Sequence, residues 1–166
     1  MRSSLHDVSR PTFVGLAVNK RQRALLTESI LVLAATTAAV IGMIHLKDYV
    51  NRSEAMRAMG QLGERVLEYR KQYGSLPPES FVTSIKGNLE GSVRMGNVKY
   101  RALYIGLDAS ADTILAYSHK GYTSSFLKDG YVVLRLDGAV EWMSPAQFAA
   151  LFATQRAPGE SELPAE

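Results

Sequence analysis

The chain has 166 residues, no cysteine and a formal net charge of +3. This length allows one modest domain and one long helix, and the lack of cysteine excludes disulfide bonds, thiolate catalysis and cysteine-ligated zinc. Residues 1–46 carry five basic and two acidic residues, whereas residues 47–166 carry fourteen of each, so the whole excess of positive charge precedes residue 47. Because a nucleic-acid-binding surface needs basic residues clustered in the folded part, no nucleic-acid partner is predicted.

An apolar stretch from Ala24 to Leu46 is the most informative segment of the sequence. Its 23 residues include one acidic residue, Glu28, and no Lys or Arg. About 20 residues of helix suffice to cross the hydrocarbon core of a bilayer. Basic residues ahead of such a stretch favour a cytoplasmic N-terminus. We therefore predict a basic cytoplasmic leader (1–23) and a single transmembrane helix (24–46), followed by an exported C-terminal part.

Three interpretations of this N-terminal region remain open. A cleaved signal peptide has a basic region, an apolar core and small residues at its cleavage site, and all three are present. A plain signal anchor needs only the apolar length and the charge bias. The third interpretation comes from KRQRALLTESILVLAATTAAVIGMI (20–44), which resembles the leader of type IV pilins and type II secretion pseudopilins. Those proteins join a basic leader, a small residue at the cleavage site and an apolar helix with one Glu near its start.

The resemblance implies a processing site and an assembly residue. A prepilin peptidase would cut at the segment Arg23, Ala24, Leu25, where Ala24 occupies the position at which the family usually has Gly. A cut after Ala24 makes Glu28 the fourth mature residue, and a cut after Arg23 makes it the fifth. In the family this Glu pairs with the terminal amine of a neighbouring subunit. Without such a partner, Glu28 would reach the interface and favour the positive N-terminal end of the helix.

The helix is predicted to continue past the membrane as an amphipathic segment over residues 47–75. Gly60 and Gly63 within it indicate a bend or a close contact. Gly74 and the following Pro-Pro pair end the helix, and this ending also resembles pseudopilins. The apolar stripe is expected to pack on a sheet of the same domain, with a coiled-coil seam as the alternative. Its members recur at spacings of four and three residues: Ala55, Met59, Leu62, Val66, Tyr69 and Tyr73.

Residues 76–157 are predicted to form an exported α+β head. The polar, Gly-rich segment 79–97 predicts a loop with at most one short helical turn. Asp137 and Gly138 predict a two-residue hairpin turn. Ser144 and Pro145 predict the N-cap and first residue of a C-terminal helix, and residues 158–166 are expected to be disordered. Four apolar runs predict strands: Val98–Ile105, Thr113–Tyr117, Gly130–Leu136 and Ala139–Met143.

These elements together predict the α+β fold class, with a long N-terminal helix packed on a small antiparallel sheet. The segment LDGAVEW (136–142) resembles the C-terminal region of a large group of bacterial pilin-like proteins, which end in a strand, an Asp-Gly-His-Val hairpin, a Trp and a short helix. Ala139 replaces the His of that pattern. The two resemblances thus imply the same pilin-like architecture.

The sequence gives little sign of catalysis or of a cofactor. The glycines of 87–96 precede no helix in the manner of a phosphate-binding loop, and no Ser-His-Asp arrangement is recognisable. We therefore predict no enzyme and no catalytic residue. Calcium remains an alternative, because some pseudopilins bind it in the head, although the spacing of the candidate ligands does not match an EF-hand. Those candidates are Asp108, Asp112, Asp129 and Asp137.

The predicted function is that of a structural pseudopilin-like subunit of a type II secretion or type IV pilus-like assembly. Its expected partners are the inner membrane, other pilin-like subunits and a prepilin peptidase. The alternative is a single-pass, membrane-anchored periplasmic binding domain with no role in a filament.

Overall fold

The computed structural model describes residues 19–106, 108–122 and 127–160, which form two compact units that divide after Val40. The fold is α+β, as predicted: one long N-terminal helix and a small antiparallel sheet. The helices are α1 (Lys20–Tyr73), α2 (Glu79–Lys86), α3 (Ser92–Met95) and α4 (Pro145–Gln155). The strands are β1 (Lys99–Tyr100), β2 (Ile114–Lys120), β3 (Gly130–Arg135) and β4 (Val140–Met143), with a 3₁₀ turn at Ala102–Tyr104.

The four strands pair in chain order, each antiparallel to the next. Alternate residues of β3 belong to different apolar clusters. Val132 and Leu134 lie in a cluster with α1, whereas Tyr131 and Val133 lie in a second cluster with α4. Because both faces of the sheet are covered, the strands read as nearly continuous apolar runs rather than as an alternating pattern.

The apolar stripe of α1 packs on the sheet of its own domain. Ala55, Met59, Leu62 and Val66 are fully buried in the cluster that contains β3 side chains. Tyr73, the last predicted member of the stripe, is instead 59% exposed. The interpretation as an intradomain packing face is therefore confirmed for the central turns of the stripe and is wrong for its end.

Gly63 allows α1 to lie close to the sheet. A Cβ atom at this position would lie 2.7 Å from Cδ1 of Leu134, which is closer than carbon atoms normally approach. A Cβ atom at Gly60 would have no neighbouring heavy atom within 4 Å beyond the adjacent helix backbone. Of the two glycines that the sequence singled out, only Gly63 marks a close contact.

The segment 79–97 is more helical than predicted. Helix α2 has eight residues, and Val82 is buried in the core while Ile85 packs against it. The spacing of Phe81, Val82 and Ile85 places them on one side of a helix, and their burial outweighs the polar composition of the segment.

The predicted strand Val98–Ile105 is mostly wrong. Only Lys99 and Tyr100 pair with β2, and a 3₁₀ turn follows. The strand ends because Arg101, with a φ of −111° and a ψ of 11°, leaves the extended conformation and directs its side chain into the interior, where it is 2% exposed.

The β3–β4 hairpin has a loop of three residues rather than the predicted two. Arg135 and Ala139 close it, with Leu136, Asp137 and Gly138 between them. Gly138 has a φ of 91°, the left-handed conformation that three-residue hairpin loops use at their last position. Leu136 is buried and its N–H donates to the carbonyl of Thr113, so the contact with the chain at the start of β2 continues one residue beyond β3.

The C-terminal helix begins as predicted. Ser144 is the N-cap of α4 and Pro145 is its first residue, with a capping box completed by Gln147. The disordered tail does not begin at Pro158, however, because Glu160 is 6% exposed and bonded to Arg101. Residues 161–166 of the predicted tail, and residues 1–18 of the predicted leader, lie outside the described residues.

Candidate functional site

The apolar half of α1 exposes its side chains along its whole length. Within it, Leu25, Ile30, Leu31 and Leu33 are between 58% and 71% exposed. Among the described residues, α1 is the one helix that is long and apolar enough to cross a membrane. Apolar side chains with this exposure lack a partner within the chain's described part, so this surface is the first candidate for an interaction with a bilayer or with other chains.

The threonine hydroxyls of this half are bonded within the helix. The hydroxyls of Thr36 and Thr37 donate to the carbonyls of Val32 and Leu33, each at 2.8 Å. Hydroxyls bonded in this way carry no unpaired donor into hydrocarbon. The segment is therefore compatible with a lipid environment, although residues 34–39 are all alanine or threonine.

The predicted processing residues lie in the first turns of α1. Arg23, Ala24 and Leu25 are all exposed, and the carbonyl of Arg23 accepts a hydrogen bond from the hydroxyl of Thr27 at 2.9 Å. Since residues 1–18 are not described, the structure gives only residues 19–22 on the upstream side of this site.

Glu28 lies one turn beyond these residues, among apolar and small polar side chains. It borders a shallow depression together with Leu25, Val32 and Thr36. No basic side chain of the described chain lies within ion-pair distance of it, and its carboxylate is exposed. Because a carboxylate at the centre of a membrane helix costs about 2.5–3.5 kcal/mol, this position favours a partner outside the chain or access to water.

Three of the four aspartates considered for calcium accept hydrogen bonds in turns and loops. Asp112 accepts from the hydroxyl of Ser110, and that bond, a bond from its own backbone N–H and the charge of Arg135 lower its pKa despite a small opposing effect of burial. Asp129 accepts from the N–H of Tyr122 at 2.7 Å. Asp137 accepts from the N–H of Ala139 at 2.9 Å, which fixes the hairpin turn. Across the described ranges, no three His, Asp or Glu residues converge in a way that could hold a metal.

The described part of the head contains two cavities of similar size. One, of about 600 Å³, lies between α1 and α2. The other, of about 560 Å³, lies between the end of α1 and the loop that follows the 3₁₀ turn, and it holds a hydroxyl with a shifted pKa. Arg70 and Glu79 supply its charged groups, and Tyr100 supplies a buried hydroxyl that donates to the carbonyl of Pro77 at 3.0 Å. Burial, with a smaller effect of Tyr69, raises the pKa of Tyr100, so this group stays protonated. No His or Cys is among the described residues that line this cavity.

Arg101 forms the most buried polar cluster of the head, and sequence reasoning missed it. Its guanidinium makes a bidentate ion pair with Glu160, at 2.6 Å and 2.9 Å, and donates to the carbonyls of Ile114 and Gln155 at 2.8 Å and 2.7 Å. Its Cζ atom also lies 4.9 Å from the ring centre of Phe152. The cluster joins the edge of the sheet, the end of α4 and the C-terminal segment, which identifies it as a structural anchor. No local pattern could have predicted a pair 59 residues apart.

Comparison with known proteins found no matching protein-family model, no matching curated protein and no matching solved structure.

Proposed function

We propose that this chain is a pilin-like structural subunit, held in the inner membrane by the apolar half of α1 and able to pack with other subunits of the same kind. The observation that carries the proposal is the two-part character of α1. Its first half exposes every large apolar side chain, while the turns from Ala55 to Val66 bury theirs against an antiparallel sheet. A helix of this kind joined to a small α+β head is the layout of the pilin and pseudopilin family.

Under this proposal the N-terminus is cytoplasmic and the head is periplasmic. The positive charge of residues 1–46 favours that orientation. The exposed half of α1 would lie in lipid before assembly and against neighbouring helices after it. Glu28 would then pair with the terminal amine of the next subunit, which would offset the cost of placing both charges in an apolar surrounding.

The deciding experiment is to determine the intact mass and the N-terminal sequence of the protein taken from its native membranes. A chain that begins at Ala24 or Leu25 supports processing by a prepilin peptidase and a role in a filament. A chain that begins at Met1 contradicts the processed-subunit mechanism.

Assembly is tested separately by chemical cross-linking in the same membranes. Glu28→Ala should abolish the ladder of cross-linked multimers, whereas Ser29→Ala, at the adjacent exposed position, should leave it unchanged. An unchanged ladder in Glu28→Ala would show that this carboxylate does not mediate assembly.

The cavity at the end of α1 favours a second candidate function, an anchored binding domain without a filament. Its volume of about 560 Å³ is within the range of small-molecule sites, and Arg70 and Glu79 offer charged groups for orientation. This candidate predicts an uncut N-terminus together with a monomeric cross-linking pattern, which is the opposite outcome in both experiments.

A further inference from the structure

The residues that follow the apolar run form a mixed aromatic and basic surface on the head. Arg52 lies six residues beyond Leu46, which corresponds to about 9 Å along a helix. The interfacial layer of a bilayer is about 5–8 Å thick on each side of the hydrocarbon core. If Leu46 marks the edge of the core, the turn from Lys47 to Val50 lies within the headgroup layer and Arg52 lies at its outer boundary. Tyr49, in the middle of that turn, is 65% exposed.

The fold brings the chain's single tryptophan to the same level. Trp142 belongs to β4, and Cζ of Arg52 lies 4.3 Å from its ring centre. The ring centre of Tyr122 lies 5.6 Å from the ring centre of Trp142. Burial raises the pKa of Tyr122 to about 12, while the charge of Arg52 lowers it and the charge of Asp48 raises it. Arg52 and Asp48 therefore both lie near Tyr122. We define Lys47, Tyr49, Arg52 and Trp142 as the basal patch.

The composition of the basal patch fits a phospholipid surface. Trp and Tyr concentrate at membrane interfaces because their rings are amphipathic, and Arg matches the geometry of phosphate oxygens. Lys47 is exposed, while Asp48, the acid beside it, is buried. The exposed charge of the first turn beyond the apolar run is therefore positive, complementary to lipid phosphates.

We propose that the basal patch lies in the headgroup layer of the outer leaflet, with Lys47 and Arg52 binding lipid phosphates and Trp142 beside Arg52 at the outer side of that layer. The head is then seated on the membrane through two points, the helix and β4, and not through the helix alone. This inference rests on the proposed membrane insertion of Ala24–Leu46 and goes beyond it.

Because the chain has one tryptophan, its fluorescence reports directly on this surface. The full chain is reconstituted in vesicles of phosphatidylcholine and phosphatidylglycerol that carry bromine either near the glycerol or near the centre of the acyl chains. We expect the lipid brominated near the glycerol to quench Trp142 more strongly than the deeply brominated lipid, and aqueous iodide to quench it weakly.

Two matched variants in a Trp142→Phe background serve as controls. Tyr49→Trp places the probe on the helix within the basal patch, and Tyr73→Trp places it at the last residue of the same helix, about 30 Å beyond Arg52. Both native tyrosines are exposed, at 65% and 59%. The probe at position 49 should respond to shallow bromine, and the probe at position 73 should respond only to iodide.

The outcomes separate this inference from the proposed anchoring. If the probe at position 49 is quenched by lipid while Trp142 is quenched by iodide only, the helix is inserted and the inference is wrong. Shielding of Trp142 from both bromolipid and iodide would mean that another protein copy covers the patch, which also overturns it. If neither position 49 nor Trp142 responds to bromolipid, the membrane anchoring itself fails.

Discussion

Glu160→Gln should destabilise the head far more than its position near the C-terminus would suggest. Glu160 and Arg101 are 6% and 2% exposed, and two hydrogen bonds join them. The substitution removes the negative charge and leaves the buried guanidinium without a counter-charge. Breaking one side of a buried ion pair typically costs about 3–5 kcal/mol, so the free energy of unfolding should fall by about that amount.

The assay is urea unfolding of the full chain in detergent micelles, followed by the fluorescence of Trp142, which lies in the head. Glu68→Gln is the matched control, because it breaks an ion pair with Arg65 of similar length, 3.1 Å, whose side chains are more than 60% exposed. Exposed pairs contribute about 0.2–1 kcal/mol. The midpoint should therefore move strongly for Glu160→Gln and hardly at all for Glu68→Gln.

Equal losses in the two variants would refute this reasoning, since they would mean that Arg101 is solvated or finds another acceptor.

A series of C-terminal deletions provides a second test of the same ion pair. A chain that ends at Glu160 should keep the stability of the full chain, whereas a chain that ends at Gly159 should lose as much as Glu160→Gln. If removal of residues 161–166 alone reduces stability, the anchor does not reside in the ion pair.

Three further predictions use the same unfolding assay. Gly63→Ala should lower stability by up to about 2 kcal/mol, because overpacking against Leu134 costs about 1–3 kcal/mol and helix propensity returns about 1 kcal/mol, whereas Gly60→Ala should raise stability by about 1 kcal/mol. Ser144→Ala should cost about 1 kcal/mol by removing the N-cap of α4, and Ser144→Gly only a few tenths. Burial raises the pKa of Glu160, but the hydrogen bonds from Arg101 and from the backbone lower it by more. The contribution of Glu160 to stability should therefore be complete above pH 4.5, and it should be lost as the pH falls through the lower pKa of the folded state. Glu160→Gln should remove that part of the pH profile.

The parts of the fold that the sequence predicted correctly are those that local signals determine. The end of α1 at Tyr73, the cap at Ser144 and the packing stripe through Leu62 each depend on residues within one or two turns. Such signals act through backbone conformation and helical spacing, which tertiary structure seldom overrides. They are sufficient for the α+β class and for the order of most elements.

The errors arise where a distant residue decides the local structure. The run Val98–Ile105 has strand-forming residues, but Arg101 turns inward because Glu160 and two carbonyls bind it there. The same contact orders the chain at 158–160, where composition alone predicted disorder. In each case a long-range hydrogen bond outweighs the local propensity.

The candidate site was predictable in its chemistry but not in its geometry. The apolar run and Glu28 follow directly from the sequence. The basal patch does not, because Arg52 and Trp142 meet only after β4 has paired with β3. Trp142 is half-buried and packs against the core cluster that contains α1, as is expected of a tryptophan in a hairpin, and it is its contact with Arg52 that relates it to the turns just beyond Leu46.

The two halves of α1 present the same chemical problem with different solutions. Apolar side chains in water cost free energy in proportion to their exposed area, at about 25 cal/mol per Å². Between Ala55 and Val66 the sheet and its neighbours fully bury the apolar side chains of the stripe. Between Leu25 and Leu46 no part of the described chain buries the large apolar side chains, and Leu31 is 71% exposed. In lipid, Glu28 lies only four residues from Ala24, the start of the apolar run, so its carboxylate can reach the interface at a cost below that for the centre of the bilayer. Under the proposed assembly, the change from lipid to neighbouring helices would provide the carboxylate with a partner. Glu28→Gln should then stabilise the membrane-inserted form slightly while weakening the cross-linked one.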